Sequence, residues 1–584
     1  MTELRRARTC AVLAAFVVAG FLLSQVWDVC ACDLPKGAAE KAGALKPKGE
    51  AKGIQGLPPV GVLGISLPSG VSQVSGFPRA SSTWCCGAAL FCQIDDADVT
   101  QEVLMPCTAE SLEFACSQIH RCCDSIWVVK SGGVNAKDFP VTISGHPCSC
   151  LAVADIDADS KPEIVIGSDI NTPSSAKNPD SRVYVLNSDG TTLSGFPKDV
   201  ERGPIPGGIC LVDLDSWAEG GDNAAEILFG TRGWQGESAP DAGKITALNA
   251  DGSYVASWNK LPDDYQVVNS PAVGNLLDDG QNFPGNEVVF VVQRFYIPQG
   301  QVSYTYESRV IAFKRDGTQL STYDLGDVQS YAAGNASSPA IGKILTYENS
   351  DIESNIVVCS RANKGASPAN GKIWVLHLVP NGNSATITLD WSYETTTQDC
   401  ETVEDVDVPD EFRADPVIAD LDNDSQNEIV AYSAQGTLCV VDRVNNQFVV
   451  SAAATIECGR SLLRDASPLV WDLDASHSTL EIVVCNRASD PERASERSVL
   501  IYQYNGSTRE LTELYEIGPF EADIEMTPAL GDIDGDDKTD IILQPLTGGL
   551  IYCLEFDNSD YDSTMNLKGW PCMGRNAART HCAD

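Results

Sequence analysis

Three acidic segments of nine residues have the composition of a metal-binding loop. They read DIDADSKPE from Asp155 to Glu163, DLDNDSQNE from Asp420 to Glu428 and DIDGDDKTD from Asp532 to Asp540. Each carries carboxylates at positions 1, 3, 5 and 9, and negative charges so closely spaced repel one another unless a cation lies among them. Oxygen donors at this density suit calcium. We therefore predict three calcium-binding loops.

The ligands of each loop are expected to be its four acidic side chains and the main-chain carbonyl at position 7. Together these groups offer about five or six protein oxygens to a calcium ion. The predicted metal ligands are Asp155, Asp157, Asp159, Lys161 and Glu163; Asp420, Asp422, Asp424, Gln426 and Glu428; and Asp532, Asp534, Asp536, Lys538 and Asp540. An EF-hand is excluded because position 6 is never glycine and position 12 is Ile166, Ala431 or Leu543. Acidic turns held by side-chain-to-backbone hydrogen bonds are the alternative interpretation.

Each acidic loop leads directly into an apolar, β-branched run, namely IVIG, IVAY or IILQ, which predicts a strand. A longer unit surrounds it. The unit begins with a small-residue strand such as SPAVGN or DPVIAD, continues through the loop and its strand, and adds a strand that ends in Asp-Gly or Asn-Gly. Such units recur about every sixty residues, near Gln93, Asp155, Asp213, Asn275, Gly342, Asp420, Asp472 and Asp532. This period predicts an all-β fold, a β-propeller of four-stranded blades with eight repeat units.

The remaining loops keep less of the metal pattern. Two of them retain some acids and are weaker metal candidates, with Asp213, Asp215, Asp222 and Glu226 in one and Asp472, Asp474 and Glu481 in the other. The loops near Gln93, Asn275 and Gly342 have acids that are too few or misplaced. We expect these last three turns to bind no metal.

The charge of the chain restricts its partners. The 584 residues carry a formal net charge of −41. Nucleic acid and anionic lipid are disfavoured as ligands because both would be repelled at long range. Part of the excess acid is explained by the predicted cation loops.

The N-terminus indicates export. Arg5, Arg6 and Arg8 precede an apolar stretch at 11–27, a pattern typical of a secretory signal peptide or a membrane anchor at 1–32. A segment around Cys32 also loosely resembles a bacterial lipobox. Residues 33–74 are rich in Lys, Pro, Gly and Ala and predict a flexible linker, followed by the propeller at 75–584. The expected location is extracellular, at the cell surface or periplasmic.

Cysteine use agrees with an oxidising compartment. Of 21 cysteines, nine lie in the first unit, residues 79–150, at positions 85, 86, 92, 107, 116, 122, 123, 148 and 150. We predict disulfide bonds within this unit, with connectivity that the spacing does not determine. A zinc site that includes His120 and His146 is the alternative, although paired CxxC spacing is missing.

The repeated phrase DxDxDxxx(D/E) before an apolar strand resembles the FG-GAP and VCBS-type repeats of integrin-α-like propellers. The ending GWPCMGRNAART, at 569–580, is similar to the WPMF-type segment that closes bacterial members. The resemblance implies an extracellular calcium-bearing propeller that serves as a cell-surface binding or adhesion module for protein or polysaccharide, generally without catalysis. Integrin propellers have seven blades, whereas eight units occur in this chain, so the blade number stays open.

The sequence contains no recognisable catalytic signature. Its five histidines match neither a GxSxG nor an HExxH motif. Two enzyme classes remain as alternatives, a pyrroloquinoline quinone-type dehydrogenase and a calcium-dependent polysaccharide lyase. We expect ligand recognition in loops instead, and three insertions are candidates for it, at 107–123, 216–221 and 384–410.

Overall fold

The structure of the protein is a computed structural model. It describes residues 65–80, 88–94, 100–107, 125–143, 146–147, 149–169, 181–200, 205–214, 224–232, 243–258, 265–277, 285–296, 305–329, 336–346, 352, 354–360, 371–394, 412, 414–433, 436–456, 466–476, 478–486, 498–520, 524, 526–544, 550–561, 572 and 582–583.

The described residues form eight separate β-sheets, which we number as blades 1 to 8 in chain order. Blade 1 contains β3 (Leu90–Cys92), β4 (Glu102–Cys107), β5 (Ser125–Lys130), β6 (Val134–Asn135) and β7 (Val141–Thr142). Blade 2 contains β8 (His146–Pro147), β9 (Ala152–Ala154), β10 (Glu163–Asp169), β11 (Ser181–Leu186) and β12 (Lys198–Val200). Blade 3 contains β13 (Cys210–Val212), β14 (Glu226–Gly230) and β15 (Ile245–Leu248). Blade 4 contains β16 (Gln266–Val267), β17 (Ala272–Gly274), β18 (Glu287–Tyr296), β19 (Thr305–Phe313) and β20 (Gln319–Gln329).

The second half of the chain repeats this arrangement. Blade 5 contains β21 (Ala340–Gly342), β22 (Asn355–Ser360), β23 (Lys372–Asn381), β24 (Ser384–Glu394) and β36 (Cys582–Ala583). Blade 6 contains β25 (Val417–Ala419), β26 (Glu428–Tyr432), β27 (Thr437–Val444) and β28 (Gln447–Thr455). Blade 7 contains β29 (Leu469–Trp471), β30 (Glu481–Cys485), β31 (Val499–Asn505) and β32 (Glu510–Ile517). Blade 8 contains β33 (Ala529–Gly531), β34 (Thr539–Leu543) and β35 (Leu550–Phe556), together with β1 (Val71–Gln73) and β2 (Arg79–Ala80) from the start of the described chain.

The main strands of each blade form an antiparallel meander. The second of them, which follows the innermost strand, lies in the middle of the sheet. These central strands are buried along their whole length in several blades, including β14, β26, β30 and β34. Both faces of a blade pack against neighbouring blades, so the central strand needs apolar residues at every position rather than at alternate ones. This requirement explains the continuous runs IVIG, IVAY and IILQ.

Hydrophobic clusters fill every space between neighbouring blades and close the ring. The cluster that joins the two ends contains Ile542 of blade 8, Leu104 of blade 1 and Ile164 of blade 2. The fold is therefore an eight-bladed β-propeller. Blade 1, which contains the cysteine-rich unit, is a full member of the ring.

The N-terminal strand β1 completes the last blade. It pairs antiparallel with β35, with Val71 opposite Phe556. Strand β1 lies inside the segment 33–74, for which the sequence predicts a linker, so the end of that segment belongs to the propeller. Pairing of a chain-start strand with a chain-end blade closes a ring without an exposed sheet edge.

A chain of hydrogen bonds joins consecutive blades just before their innermost strands. In each link a main-chain amide of one blade donates to a side-chain oxygen of the next. The links are Gly208 N to Ser270 Oγ (2.7 Å), Ser270 N to Ser338 Oγ (3.2 Å), Ser338 N to Asp415 Oδ1 (2.8 Å), Asp415 N to Ser467 Oγ (3.1 Å) and Ser467 N to Thr527 Oγ1 (2.9 Å). Every acceptor residue is followed by proline in the sequence. This inter-blade hydrogen-bond chain spans blades 3 to 8.

Blade 5 departs from the sequence-based expectation in its outer strand, and it also gains a short strand from the end of the chain. Residues 384–394, assigned to a loop insertion, form its outer strand β24, which pairs with β23 over its length. The short strand β36 pairs in parallel with the innermost strand β21, with Cys582 opposite Ile341 and Ala583 opposite Gly342. The predicted insertion at 216–221 and most of that at 107–123 lie outside the described residues.

Helical structure is minimal in the described part of the chain. It consists of two 3-10 turns, Ser131–Gly133 and Ala256–Trp258. Within that part, no helix combines the length and the apolar character needed to cross a membrane. The predicted signal or anchor segment at 1–32 lies outside the described residues.

Candidate metal sites

The three predicted calcium loops occupy the same place in blades 2, 6 and 8. Each follows the innermost strand of its blade, and position 9 stands at the start of the next strand: Glu163 begins β10, Glu428 begins β26 and Asp540 is the second residue of β34. The expectation that these loops feed strands is confirmed.

The three loops share one backbone conformation. Positions 4 and 6 have positive φ in every copy, although five of the six residues are not glycine. These residues are Ala158 (61°) and Ser160 (68°), Asn423 (60°) and Ser425 (69°), and Gly535 (76°) and Asp537 (64°). Left-handed backbone at non-glycine residues carries a cost, so contacts within the loop must offset it.

Two hydrogen bonds recur in each loop and orient the first and third carboxylates. The amide at position 6 donates to the carboxylate at position 1, at 2.9 Å for Ser160 to Asp155, 3.0 Å for Ser425 to Asp420 and 3.1 Å for Asp537 to Asp532. The amide at position 7 donates to the carboxylate at position 5, at 2.8, 2.8 and 3.0 Å. The same pattern three times defines a built loop rather than a random acidic turn.

Carboxylate oxygens converge in all three loops. Groups whose ligand atoms lie within 4.8 Å of one another are Asp155, Asp157 and Asp159 in blade 2; Asp420, Asp422 and Glu428 in blade 6; and Asp532, Asp534 and Asp540 in blade 8. Glu163 stands outside the first of these groups and Asp424 outside the second. A further group in blade 8 joins Asp534 and Asp536 with Glu555 of β35. Glu555 was not among the predicted ligands.

One oxygen in each cluster lacks a hydrogen-bond partner among the described residues. These buried oxygens are Asp155 Oδ1, Asp422 Oδ1 and Asp540 Oδ1. Asp540 is almost completely buried, with 1% of its surface exposed. A buried carboxylate oxygen without a donor is unfavourable unless a cation or a proton lies next to it.

The raised pKa values of the acids at position 9 also favour a proton or cation next to these carboxylates. Burial, followed by the charges of the neighbouring aspartates, raises the pKa of Glu163 to about 7, of Asp540 to about 8 and of Glu428 to about 9. In each case a hydrogen bond from the position-2 amide acts in the opposite direction. These acids would keep a proton near neutral pH, and a divalent cation could take its place.

Position 9 also has a structural role that sequence reasoning missed. In seven blades its carboxylate accepts a hydrogen bond from the amide of loop position 2, whether or not the metal pattern is present. The pairs are Ile94–Glu102, Ile156–Glu163, Leu214–Glu226, Leu276–Glu287, Leu421–Glu428, Leu473–Glu481 and Ile533–Asp540, at 2.5 to 3.0 Å. In blade 5, Asn355 Oδ1 accepts from Leu345 N at 3.1 Å. We call these eight residues the strand-entry residues.

The weaker candidate loops look different. In blade 3 the guanidinium of Arg315, from the β19–β20 hairpin of blade 4, lies 3.1 Å from Asp213 Oδ1. Asp215 and Asp222 lie outside the described residues. In blade 7, burial and the charges of Asp472 and Asp474 raise the pKa of Glu481 to about 8. Neither loop contains a convergent group among the described residues.

One histidine and one cysteine lie apart from these loops. His377 is buried on β23, with Nδ1 2.8 Å from Asp390 Oδ1. Cys92 is a free thiol, and burial, then Glu102 and Cys572, raises its pKa to about 12. Most other cysteines of the first unit lie outside the described residues, so disulfide bonds there stay a prediction.

Comparison with known proteins adds little beyond these observations. No protein-family model matches the chain, and no curated protein matches it significantly. Solved structures with some likeness include Sqt1 from Saccharomyces cerevisiae, at 10% identity and a TM-score of 0.44, covering 83% of this chain and 99% of that chain. Another is quinohemoprotein alcohol dehydrogenase from Comamonas testosteroni, at 10% identity and a TM-score of 0.31, covering 71% and 75%. Neither similarity carries information about function.

Proposed function

We propose that this protein is an exported calcium-binding β-propeller of the FG-GAP or VCBS type. Calcium in blades 2, 6 and 8 stabilises the ring, and exposed loops bind a protein or polysaccharide at a cell surface. The observation that carries the calcium assignment is the convergence of three carboxylates in each of three loops with the same backbone.

Calcium fits these loops better than smaller or softer metals do. All the converging side-chain donors are carboxylates, which excludes the thiolate and imidazole sets that favour zinc or copper. A short loop with side chains at positions 1, 3, 5 and 9 and a carbonyl at position 7 offers many oxygens in an irregular arrangement. Calcium tolerates such arrangements, whereas magnesium demands a near-octahedral one.

The role proposed for the cation is structural. The loop joins the innermost strand to the central strand of its blade, so neutralising its acids stabilises that blade. Extracellular calcium modules have dissociation constants of about 0.1 to 1 mM. At ~1 mM calcium, a ~0.1 mM site adds about 1.4 kcal/mol, and three sites add about 4 kcal/mol.

Calcium binding is tested on the full chain after removal of cations by chelation. Isothermal titration with CaCl2 is expected to give three sites, and chelation is expected to lower the melting temperature. Asp534→Ala should remove one site and reduce the response to chelator, while the exposed variant Glu510→Gln should do neither. Absence of heat on titration together with a melting curve indifferent to chelator would refute the proposal.

The binding role rests on the loops and on charge. A formal charge of −41 disfavours polyanions, which leaves neutral or basic polysaccharides and protein surfaces as ligands. Arrays of glycans and of cell-envelope proteins, probed with and without calcium, test this part separately. Calcium-dependent retention of one ligand class supports it, and retention of none contradicts it.

A further inference from the structure

The strand-entry residue of each blade faces one residue across the central strand pair. In antiparallel pairing, directly opposed residues project their side chains to the same face. Asp540 is opposite Glu555 in blade 8. The pairing of Ile429 with Val441 places Glu428 opposite Asp442 in blade 6.

In blade 8 the opposing residue reaches the metal loop. An oxygen of Glu555 lies within 4.8 Å of oxygens of Asp534 and Asp536, and Asp534 also belongs to the group with Asp532 and Asp540. The buried Asp540 Oδ1, which has no hydrogen-bond partner among the described residues, marks the inner end of this cluster. Glu555 therefore adds a carboxylate from outside the loop.

A lysine already contacts this carboxylate. Lys538 Nζ lies 2.8 Å from Glu555 Oε1 and 3.4 Å from Asp536 Oδ2. The ammonium group neutralises part of the cluster, and it competes with a cation for the same oxygens.

In blade 6 the opposing carboxylate is held in place by the next blade. Asp442 Oδ2 accepts a hydrogen bond from Tyr504 Oη of blade 7 at 3.0 Å, and Ser451 Oγ lies 3.5 Å away. In blade 2, by contrast, the pairing of Ile164 with Leu186 places the neutral Asn187 opposite Glu163. The Asn187 amide donates to Thr191 Oγ1 in its own hairpin at 2.8 Å.

Two blades without the full metal pattern, blades 1 and 3, place a basic side chain near the corresponding acids. In blade 1, the pairing of Val103 with Val129 puts Lys130 opposite Glu102, with Nζ 3.5 Å from the buried Oε1. In blade 3, Arg315 fills the corresponding loop by contacting both the carbonyl and the carboxylate of Asp213.

We propose that, in blades 1, 2, 6 and 8, the residue opposite the strand-entry acid sets how the loop is neutralised. Glu555 is an additional calcium ligand in blade 8, and Asp442 adds negative charge to the site in blade 6. Lys130 takes the place of the cation in blade 1. This inference rests on the proposed calcium binding, and it predicts that the neutral Asn187 leaves blade 2 with the weakest of the three sites.

The test is calcium titration of the full chain. Binding is measured by isothermal titration calorimetry and by sensitised terbium luminescence. Glu555→Gln should weaken one site about ten-fold and leave the other two unchanged, as for other residues that support a metal site. Lys538→Met removes the competing ammonium and should tighten the same site. Glu510→Gln, an exposed acid on β32, is the charge-matched control and should change none.

The outcomes separate the two proposals. If the unmodified chain binds no calcium, the proposed function fails. If it binds three ions and neither Glu555→Gln nor Lys538→Met changes any site, only the role of Glu555 fails. Lys130→Met should lower the melting temperature equally in calcium and in chelator while three sites remain, and no change in either condition would overturn the role of Lys130.

Discussion

Gly506 of blade 7 lies directly against Asp422 of the acidic loop in blade 6. A Cβ atom built on Gly506 would be 1.5 Å from Asp422 Oδ2. The hairpin between β31 and β32 therefore forms one wall of the neighbouring acidic loop, and a side chain at position 506 would force the Asp422 carboxylate to move.

Gly506→Ala should displace the Asp422 carboxylate, since the new Cβ atom and Asp422 Oδ2 cannot occupy the same space. We expect weaker calcium binding at one site and a loss of only about 1 kcal/mol in stability, the low end for overpacking, because only the end of a flexible side chain has to move. Chemical denaturation and calcium titration measure the two effects. The neighbouring exposed residue provides the control, because Ser507→Ala should leave both quantities unchanged. Full calcium affinity in Gly506→Ala would contradict the contact.

Stability in chelator should fall as the pH rises from about 4, the pKa of unfolded carboxyl groups, to about 9, the highest folded pKa. The pKa values of Glu163, Asp540 and Glu428 are raised to about 7, 8 and 9, whereas carboxyl groups of an unfolded chain titrate near pH 4. The folded state therefore binds more protons than the unfolded state, and its advantage is lost as these protons leave. Bound calcium replaces the protons, so the decline should be much smaller in calcium. Melting temperatures across this range test the prediction.

Glu428→Gln supplies the control for this pH dependence. It keeps a side-chain acceptor for the Leu421 amide but has no proton to lose, so the slope of stability against pH in chelator should be reduced. Equal slopes in calcium and in chelator for the unmodified protein would argue against cation binding at these acids.

The strand-entry acid of blade 7 should act as a hydrogen-bond acceptor. Glu481 Oε2 accepts from Leu473 N at 2.8 Å. Glu481→Gln retains an acceptor and should change stability little, whereas Glu481→Ala leaves a buried amide without a partner and should cost about 1 to 3 kcal/mol. Denaturant unfolding of both variants measures the difference. Similar losses for Gln and Ala would indicate that the charge matters more than the hydrogen bond.

Ser467→Ala should break one link of the inter-blade hydrogen-bond chain. It removes the acceptor of the Asp415 amide, and we expect a loss of about 1 to 3 kcal/mol. Thr508→Ala, on an exposed hairpin, should be neutral. Comparable stability of the two variants, measured by denaturant unfolding, would show that the link contributes nothing.

Much of the fold is readable from local patterns. The runs after each acidic loop predict the central strands β10, β26 and β34, and the Asp-Gly and Asn-Gly signals predict the hairpins that follow. The eight repeat units of the sequence correspond to the eight blades of the structure, whereas the resemblance to integrin propellers had left seven blades open. Local signals succeed here because each blade repeats the same strand and turn chemistry.

Features that depend on register or on distant segments were not readable. Glu555 joins the carboxylate cluster of blade 8 only because β35 pairs with β34, and single-sequence patterns do not fix which residues are opposed. Strand β1 was not predicted because it is short and follows a segment of linker-like composition. Its pairing partner, β35, lies at the other end of the chain, where Phe556 is opposite Val71. Residues 384–394 were expected to be part of a loop insertion. They form strand β24, because a hairpin with β23 extends the sheet.

The inter-blade hydrogen-bond chain has a mechanical consequence for how the protein comes apart. Every link points in the same rotational sense, so displacing one blade deprives the preceding blade of its acceptor. Linear repeat arrays fray from their free ends, but a closed ring has none. Loss of any blade from 4 to 8 should therefore destabilise the blades that precede it in this chain, and unfolding should be a single cooperative event.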